Sequence, residues 1–195
     1  VLIATVGEGI CFTLNAASYL VVIAMLLLMT VKEQKNVNKD TVWQQLKGGF
    51  SYAWGFEPIK YLMGLLALLS LAGMPYMVLM PIFASKILHG SSRTFGFLVG
   101  STGVGALMGA AYLAKRKTVL GLGRVIVVSS GLFGIGIIGF SLSTVIGLSI
   151  FFLVLVGLGM ILLFASANTV LQTIVEDDMR GRVMSFYTMA LAGTV

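Results

Sequence analysis

Long apolar runs that alternate with clusters of basic residues constrain this chain more than any other feature of its sequence. Each run holds about 20 residues, which as a helix is long enough to cross the roughly 30 Å hydrocarbon core of a bilayer. We therefore predict an all-α fold, a polytopic bundle of transmembrane helices. The predicted spans are Ile10–Thr30, Ile59–Ala84, Phe95–Ala114, Val125–Ser143 and Leu148–Val175, and a further run starts at Val183.

The basic residues predict the orientation of these spans. Eleven of the 13 Lys and Arg residues lie in three gaps between the runs, and the alternate gaps hold only Lys86 and Arg93 or no charge at all. Basic residues concentrate in the cytoplasmic loops of membrane proteins. We therefore expect a multi-pass protein of the cell (inner) membrane, with residues 31–58, 115–124 and 176–182 on the cytoplasmic side.

Composition argues against several classes of soluble protein. The mean hydropathy is +1.02, and 10% of residues are charged, against about 25% in soluble domains. The net charge of +6 collects at helix ends, where it suits anionic lipid better than nucleic acid. A single Cys and a single His leave no metal-ligand cluster. We expect no metal, no cofactor and no nucleic-acid partner.

The ends of the chain indicate a piece of a longer protein, because it begins without Met in one apolar run and ends inside another. Residues 1–30 would be the end of one helical bundle, with Val1–Val6 a helix stub. Residues 31–57 would be a central cytoplasmic linker, and residues 58–195 a second bundle. A long central linker between two bundles is a known transporter layout.

The linker itself divides into two parts. Its first part, Lys32 to Asp40, is polar and predicts a flexible connection. In the second part Trp43, Phe50 and Trp54 recur at helical spacing, which predicts a short helix on the membrane interface. The pair Gly48-Gly49 weakens that helix prediction.

Pro75 interrupts the span Ile59–Ala84 and predicts a kink, because proline lacks an N–H and its ring pushes on the carbonyl one turn earlier. Broken helices in membranes face protein or a water-filled cavity. One interpretation is therefore a cavity wall that contacts substrate. The alternative is a static kink with a tyrosine at the outer interface. The candidate contacts are Ser70, Tyr76, Met77 and Met80.

A second set of candidate substrate contacts lies near the end of the span Leu148–Val175. Asn168 and Gln172 are one turn apart and share a face, with Phe164 nearby. Amides deep in an apolar helix should face the bundle interior. They could bind a solute or lock neighbouring helices together, and both interpretations stay open.

Glycines at a spacing of four predict close helix packing in the span Phe95–Ala114. Small residues let the backbones of two helices touch. This contact stabilises helix packing in lipid, where the hydrophobic effect does not drive helices together. The alternative is a smooth face along which helices slide during transport. The glycines are Gly96, Gly100, Gly105 and Gly109.

A short charged loop separates the last two apolar runs. Asp177 and Asp178 suit the positive end of the helix that follows, and Arg180 and Arg182 would anchor it at the cytoplasmic face. A second interpretation is a latch, in which these charged side chains hold a gate on the cytoplasmic side and separate when the bundle moves.

Ionisable residues are absent from the centre of every predicted span. Proton or ion relays normally need such a group, so any coupling carboxylate should lie outside this sequence. The sequence also lacks a paired-carboxylate, Ser/His/Asp or phosphate-cradling motif, and we do not expect an enzyme.

Three segments carry a resemblance to a known family. DDMRGRVMSFYTMALAGT resembles the connection between the tenth and eleventh helices of the major facilitator superfamily, in the secretion-effector branch with enterobactin exporters and macrolide efflux pumps. GEGICFTLNAASYL is similar to the sixth helix of that branch. WQQLKGGFSYAW, followed by Pro58, is similar to the segment that leads into its seventh. The resemblance runs from the end of helix five into helix eleven.

The resemblance implies two six-helix bundles, alternating access and a cavity lined by helices seven, eight and ten, with Tyr76, Met77 and Asn168 as solute contacts. The sequence Arg180-Gly181-Arg182 matches the family loop. The loop KRKTVLGLGR contains the glycines of the family loop and Arg124, but it lacks the acidic residue often found there. A charge relay through that loop is therefore not expected. The resemblance implies that Arg124 belongs to the cytoplasmic gate.

We predict a secondary active transporter that exports amphipathic small molecules, such as a drug or a siderophore, by alternating access. Proton coupling is implied by the resemblance alone. The predicted partners are a small-molecule substrate and membrane lipid, and the predicted state is a monomer. The alternatives are a lysophospholipid flippase or importer of the same fold, a permease subunit driven by a separate ATPase, and a receptor that transports nothing.

Overall fold

The computed structural model describes residues 8–29, 42–73 and 75–192, which belong to two compact units. The described part of the first unit, Val1–Lys39, is one helix, α1 (Glu8–Leu28), whose apolar stretch is Phe12–Leu28. The predicted span Ile10–Thr30 is thus helical as far as Leu28. The predicted stub at residues 1–6 and the predicted flexible segment at residues 32–40 lie outside the described residues.

The described part of the second unit, Asp40–Val195, consists of helices joined by short loops. One π-helical turn, Phe83–Ile87, lies between the fourth and fifth α-helices of the chain. The α-helices are α2 (Val42–Gly55), α3 (Glu57–Gly73), α4 (Pro75–Ile82), α5 (Ser92–Lys115), α6 (Leu122–Leu142), α7 (Ile146–Ile174) and α8 (Asp177–Ala192).

Four segments of this unit are long and apolar enough to cross a membrane, and they coincide with four predicted spans to within three residues at each end. Their outward faces remain apolar, and side chains such as Leu107 and Val127 are exposed. Lipid tails solvate such faces, whereas water would not. The all-α polytopic prediction is confirmed. The segments are Glu57–Ile87, Ser92–Lys115, Leu122–Leu142 and Ile146–Ile174.

The first of these segments comprises α3, described as far as Gly73, and α4, described from Pro75. Residue 74 lies outside the described residues, so the predicted kink at Pro75 stays a prediction. Pro81 lies inside α4, and the chain then widens into the π-helical turn, in which the Leu88 N–H donates to the Phe83 carbonyl over 3.1 Å. The sequence analysis missed this wide turn, for which Pro81 was the available signal.

Helix α7 lies at the centre of the unit and packs against α5 on one side and α6 on the other. A Cβ atom at Gly105 or Gly157 would overlap backbone atoms across the α5–α7 contact. At the α6–α7 contact, a Cβ at Gly159 would lie 2.8 Å from the Phe133 nitrogen, and one at Gly136 would lie 3.1 Å from the Phe152 carbonyl. Backbones therefore touch on both sides of α7, which only glycine permits.

The buried side chains form two clusters at different levels along the bundle. We call the end where α5 stops and α6 starts the basic end, since Lys115, Arg116 and Arg124 lie there. The first cluster, near this end, includes Leu62, Leu163 and Val183. The second cluster lies toward the opposite end and is built from the following buried residues: Tyr76, Met80, Ala84, Leu88, Leu98, Phe133, Phe140, Leu153 and Val156.

Candidate functional site

The amide pair on helix α7 is the polar feature that most interrupts its apolar surface. Gln172 Nε2 donates a hydrogen bond of 3.0 Å to Asn168 Oδ1. Asn168 is half-buried and Gln172 is exposed. The remaining donor of Asn168 and acceptor of Gln172 make no hydrogen bond within the described part of the chain. This face of α7 therefore offers unused hydrogen-bonding groups.

Phe164 lies one turn before Asn168, beside helix α8. The Tyr187 hydroxyl donates to the Phe164 carbonyl oxygen over 3.1 Å. The Phe164 side chain is half-buried and packs against the first cluster. An aromatic surface and two amides thus follow one another along α7. The sequence analysis did not single out Tyr187, although the family-like segment contains it.

Tyr76 and Met80 lie inside the second cluster and are buried. The Tyr76 ring contacts Phe133 edge to face, with the ring centroids 6.5 Å apart. The Tyr76 hydroxyl has no hydrogen-bond partner among the described residues. Thr102 lies beside the phenol, and the Thr102 hydroxyl donates to the Leu98 carbonyl over 3.3 Å.

Met77 and Ser70 have different surroundings from Tyr76. Met77 is 49% exposed, so it is open to a ligand on the outer surface of α4. Ser70 is buried, and its hydroxyl donates to the Leu191 carbonyl of α8 over 3.2 Å. That bond joins α3 to the far end of α8, which gives Ser70 a structural role.

The seven candidate contacts are not brought together into one site. At 1.5 Å per residue, Tyr76 lies about 28 Å along the α3–α4 segment from its start at Glu57, at the basic end. On the same measure Asn168 lies only about 9 Å from the end of α7 at Ile174. Tyr76 therefore lies about 20 Å deeper than Asn168, and Phe164 and Ser70 lie at levels between them.

The charged loop folds into the first turn of helix α8. Arg180 Nη2 and Asp177 Oδ1 form an ion pair of 2.6 Å between residues that are largely exposed. Such an exposed ion pair contributes at most about 1 kcal/mol to the free energy of unfolding. Asp177 and Asp178 lie at the positive end of the helix, which stabilises them. Gly181 has open space around its Cβ position. The latch interpretation stays a prediction.

Arg182 contacts the linker helix α2. A Cβ at Gly48 would lie 3.2 Å from Arg182 Nη1, and one at Gly49 would lie 3.0 Å from both Arg182 Cβ and the Phe186 ring. The glycine pair, which the sequence analysis took as a weakness of α2, instead lets α2 lie flat on α8. An edge-to-face contact between Phe50 and Phe186, with centroids 6.2 Å apart, extends this contact.

Replacing Gly49 with Val should therefore loosen α2 from α8. Overpacking at this contact should lower the free energy of unfolding by about 1–3 kcal/mol. The expected result is faster tryptic cleavage after the exposed Lys47, measured on the purified full chain by gel electrophoresis. Gly55→Val in the same helix is the control, since nothing lies within 4 Å of its Cβ position. Equal cleavage rates for the two variants would show that the glycine contact does not hold α2.

Two of the four glycines predicted to pack do so within the described residues. Gly105 and Gly109 lie against helix α7, and the Leu158 carbonyl would be 3.2 Å from a Cβ at Gly109. Gly96 and Gly100 have no described atom within 4 Å of their Cβ positions, so a packing role for them stays a prediction.

Comparison with known proteins identifies the family. A family model described as transmembrane secretion effector matches residues 1–195. The chain belongs to this family of the major facilitator superfamily. It is also similar to the staphyloferrin A transporter of Staphylococcus aureus (strain NCTC 8325 / PS 47), with 28% identity over 124 residues. That match covers 63% of this chain and 30% of the relative. No solved structure matches the chain.

Membership of the family confirms the resemblance found in the sequence. The chain is a multi-pass membrane protein of a transporter family. Within the described residues, no group of His, Cys, Asp and Glu could hold a metal ion.

Proposed function

We propose that this secretion-effector family protein exports amphipathic small molecules by proton-coupled alternating access, and that the solute passes along the Asn168–Gln172 face of helix α7. The observation that carries the proposal is the amide pair itself. The half-buried Asn168 and the exposed Gln172 lie on one face of a predominantly apolar transmembrane helix. Their unused donor and acceptor make this face costly to place in lipid.

The hydrogen-bonding groups on such a face find their partners in protein or in a water-filled cavity. In a transporter, that cavity is the path of the solute. The half-buried Phe164 next to the amides adds an apolar surface. Together they suit a solute that has both an apolar body and a few polar groups. A drug or a siderophore fits this description, and the relative named for staphyloferrin A supports the siderophore class.

Met77 would provide a second contact, deeper in the membrane. Its exposed thioether side chain is flexible and polarizable, and such side chains adapt to ligands of varied shape. Tyr76 and Met80 lie behind it in the core. In this proposal they set the position of helix α4, and they reach the solute only if α4 moves during the transport cycle.

The orientation follows from the charges. We infer that residues 31–58, 115–124 and 176–182 face the cytoplasm of a cell (inner) membrane, with Arg124, Arg180 and Arg182 at that surface. Residues 1–30 would end one bundle, residues 31–57 would link the bundles and residues 58–195 would belong to the second. We further infer a monomer. Glu57, Glu176, Asp177 and Asp178, the carboxylates of the described second unit, lie at helix ends, so the coupling carboxylate should lie elsewhere in the protein.

Transport into inverted membrane vesicles tests the proposal. Vesicles that contain the full-length protein would be given a pH gradient, acidic inside, with ethidium or staphyloferrin A as the probe. We expect accumulation of at least one probe, and its loss when nigericin collapses the gradient. Vesicles without the protein are the control.

Three other results would support the alternatives. Accumulation in right-side-out vesicles, but not in inverted ones, would indicate an importer of the same fold. Accumulation that survives nigericin and requires ATP would indicate a permease subunit driven by an ATPase. Movement of a fluorescent lysophospholipid between leaflets, with neither probe transported, would indicate a flippase.

A further inference from the structure

A cavity of about 660 Å³ opens at the basic end of the bundle, between helices α5, α6 and α7. Its volume lies within the range of small-molecule binding sites. The proposed solute path along the amide pair does not include it. Its deeper wall is apolar and consists mainly of Met108, Val128, Leu132, Leu158 and Leu162.

The mouth of this cavity carries two positive charges. Arg116 follows the end of α5 and Arg124 lies in the first turn of α6, and both line the cavity. Arg116 donates to the Leu120 carbonyl over 2.6 Å and to the Tyr112 hydroxyl over 3.3 Å. Both acceptors are neutral, so they fix the guanidinium in place without compensating its charge.

The turn between the helices keeps Arg116 at the cavity. Gly121 has a φ of +82°, which other residues rarely adopt, and a Cβ there would lie 3.4 Å from Arg116 Nη2. The loop of residues 115–124 contains no acid, and no carboxylate lines the cavity. Two arginines therefore line one opening without a described counter-ion, and Arg116 is held there by its hydrogen bonds.

The cavity extends into the membrane to a depth that suits a bound lipid. The arginines lie at the ends of α5 and α6, which places them at the level of the headgroups when these helices span a bilayer. Measured from these helix ends at 1.5 Å per residue, Met108 lies about 10 Å and Leu132 about 15 Å farther into the membrane. Positive charge at the headgroup level above an apolar groove is complementary to a negatively charged headgroup with an acyl chain below it.

We propose that this cavity binds an anionic phospholipid, with the phosphate between Arg116 and Arg124 and an acyl chain against the wall formed by α6 and α7. A soluble anion would use the arginines alone and leave the apolar wall unoccupied. A zwitterionic lipid would fit the groove, but it would gain less from the two uncompensated charges. This site is independent of which solute the protein transports.

Quenching of a tryptophan in the groove by brominated lipid tests this site. The full chain, with Trp43→Phe, Trp54→Phe and Val128→Trp, would be reconstituted into phosphatidylcholine vesicles. Brominated phosphatidylglycerol or brominated phosphatidylcholine would then be added in steps. We expect phosphatidylglycerol to bind more tightly, and this preference should fall about fivefold for each arginine replaced in Arg116→Gln and Arg124→Gln.

Two controls separate the groove from the general membrane surface. Val127→Trp places the reporter on the neighbouring residue of α6, which is equally exposed but does not line the cavity; it should show no lipid preference. Lys117→Gln removes a charge from the same loop outside the cavity and should keep the preference. Leu132→Trp serves as the reporter if the Val128 variant does not fold.

Three results would overturn the proposal. The first is an equal preference for phosphatidylglycerol at the Val127 and Val128 reporters, which would indicate a general surface effect. The second is a preference that survives replacement of both arginines. The third is displacement of the brominated lipid by millimolar glycerol phosphate, which would show that a soluble anion is the ligand.

Discussion

Replacing Gly157 with Leu should separate helices α5 and α7 and lower the free energy of unfolding by about 3 kcal/mol. The Gly157 Cα faces the backbone of Thr102 so closely that even a Cβ would overlap the Thr102 carbonyl. A flexible side chain could move aside, but a carbonyl inside a helix can do so only if the whole helix moves. Unfolding in mixed detergent–SDS micelles, followed by circular dichroism, measures the change.

The matched control is Gly147→Leu in the same helix, because nothing lies within 4 Å of its Cβ position. It should change stability by less than about 1 kcal/mol, since leucine is the better helix former. Equal losses in the two variants would mean that leucine disturbs α7 itself, and that the contact with α5 is not what requires glycine.

Replacing Asn168 with Ala should reduce the apparent affinity for a transported probe about two- to tenfold, the range expected for one neutral hydrogen bond. The folded yield should change little, because the described partner of Asn168 is the exposed Gln172 of the same helix, and such pairs contribute only about 0.2–0.5 kcal/mol. Concentration-dependent uptake into inverted vesicles gives the affinity, and size-exclusion chromatography gives the yield.

Thr169→Ala is the control for this substitution. Thr169 is the next residue of α7 and is exposed, but its hydroxyl donates to the Ala165 carbonyl of its own helix over 2.9 Å. Its loss should leave the affinity unchanged. If Asn168→Ala lowers yield and uptake to the same extent, the amide is a packing residue and the proposed solute path is wrong.

The membrane spans could be predicted from sequence because their signal is local. A run of apolar residues of bilayer length is enough to identify Ser92–Lys115 or Ile146–Ile174 as a span. The wide turn after Pro81 was not predictable in this way, because a proline inside a helix is compatible with several local geometries.

The packing of α7 was only half predictable. A spacing of four places Gly105 and Gly109 on one face, and that face does contact α7. Gly157 and Gly159 are two residues apart and therefore point to different sides of their helix, toward α5 and α6 respectively. A rule that looks for glycines on a single face cannot find a helix that packs tightly on two sides.

The candidate site shows a different limit of sequence reasoning. Helical periodicity identifies residues that share a face, as it did for Asn168 and Gln172, which are hydrogen-bonded to each other. It does not show how helices align along the membrane normal. Tyr76 was grouped with these amides from the sequence, but it lies about 20 Å away along the bundle and is buried against Phe133.

The orientation of the bundle is the central claim of this account, because the direction of export and the inner position of the basic loops both depend on it. Single cysteines at Thr118 and at Thr144, placed in a Cys11→Ser background, would be treated with a membrane-impermeant maleimide on intact cells. We predict labelling at position 144 in intact cells and at position 118 only after permeabilisation. Labelling of position 118 from outside, with position 144 protected, would contradict the account.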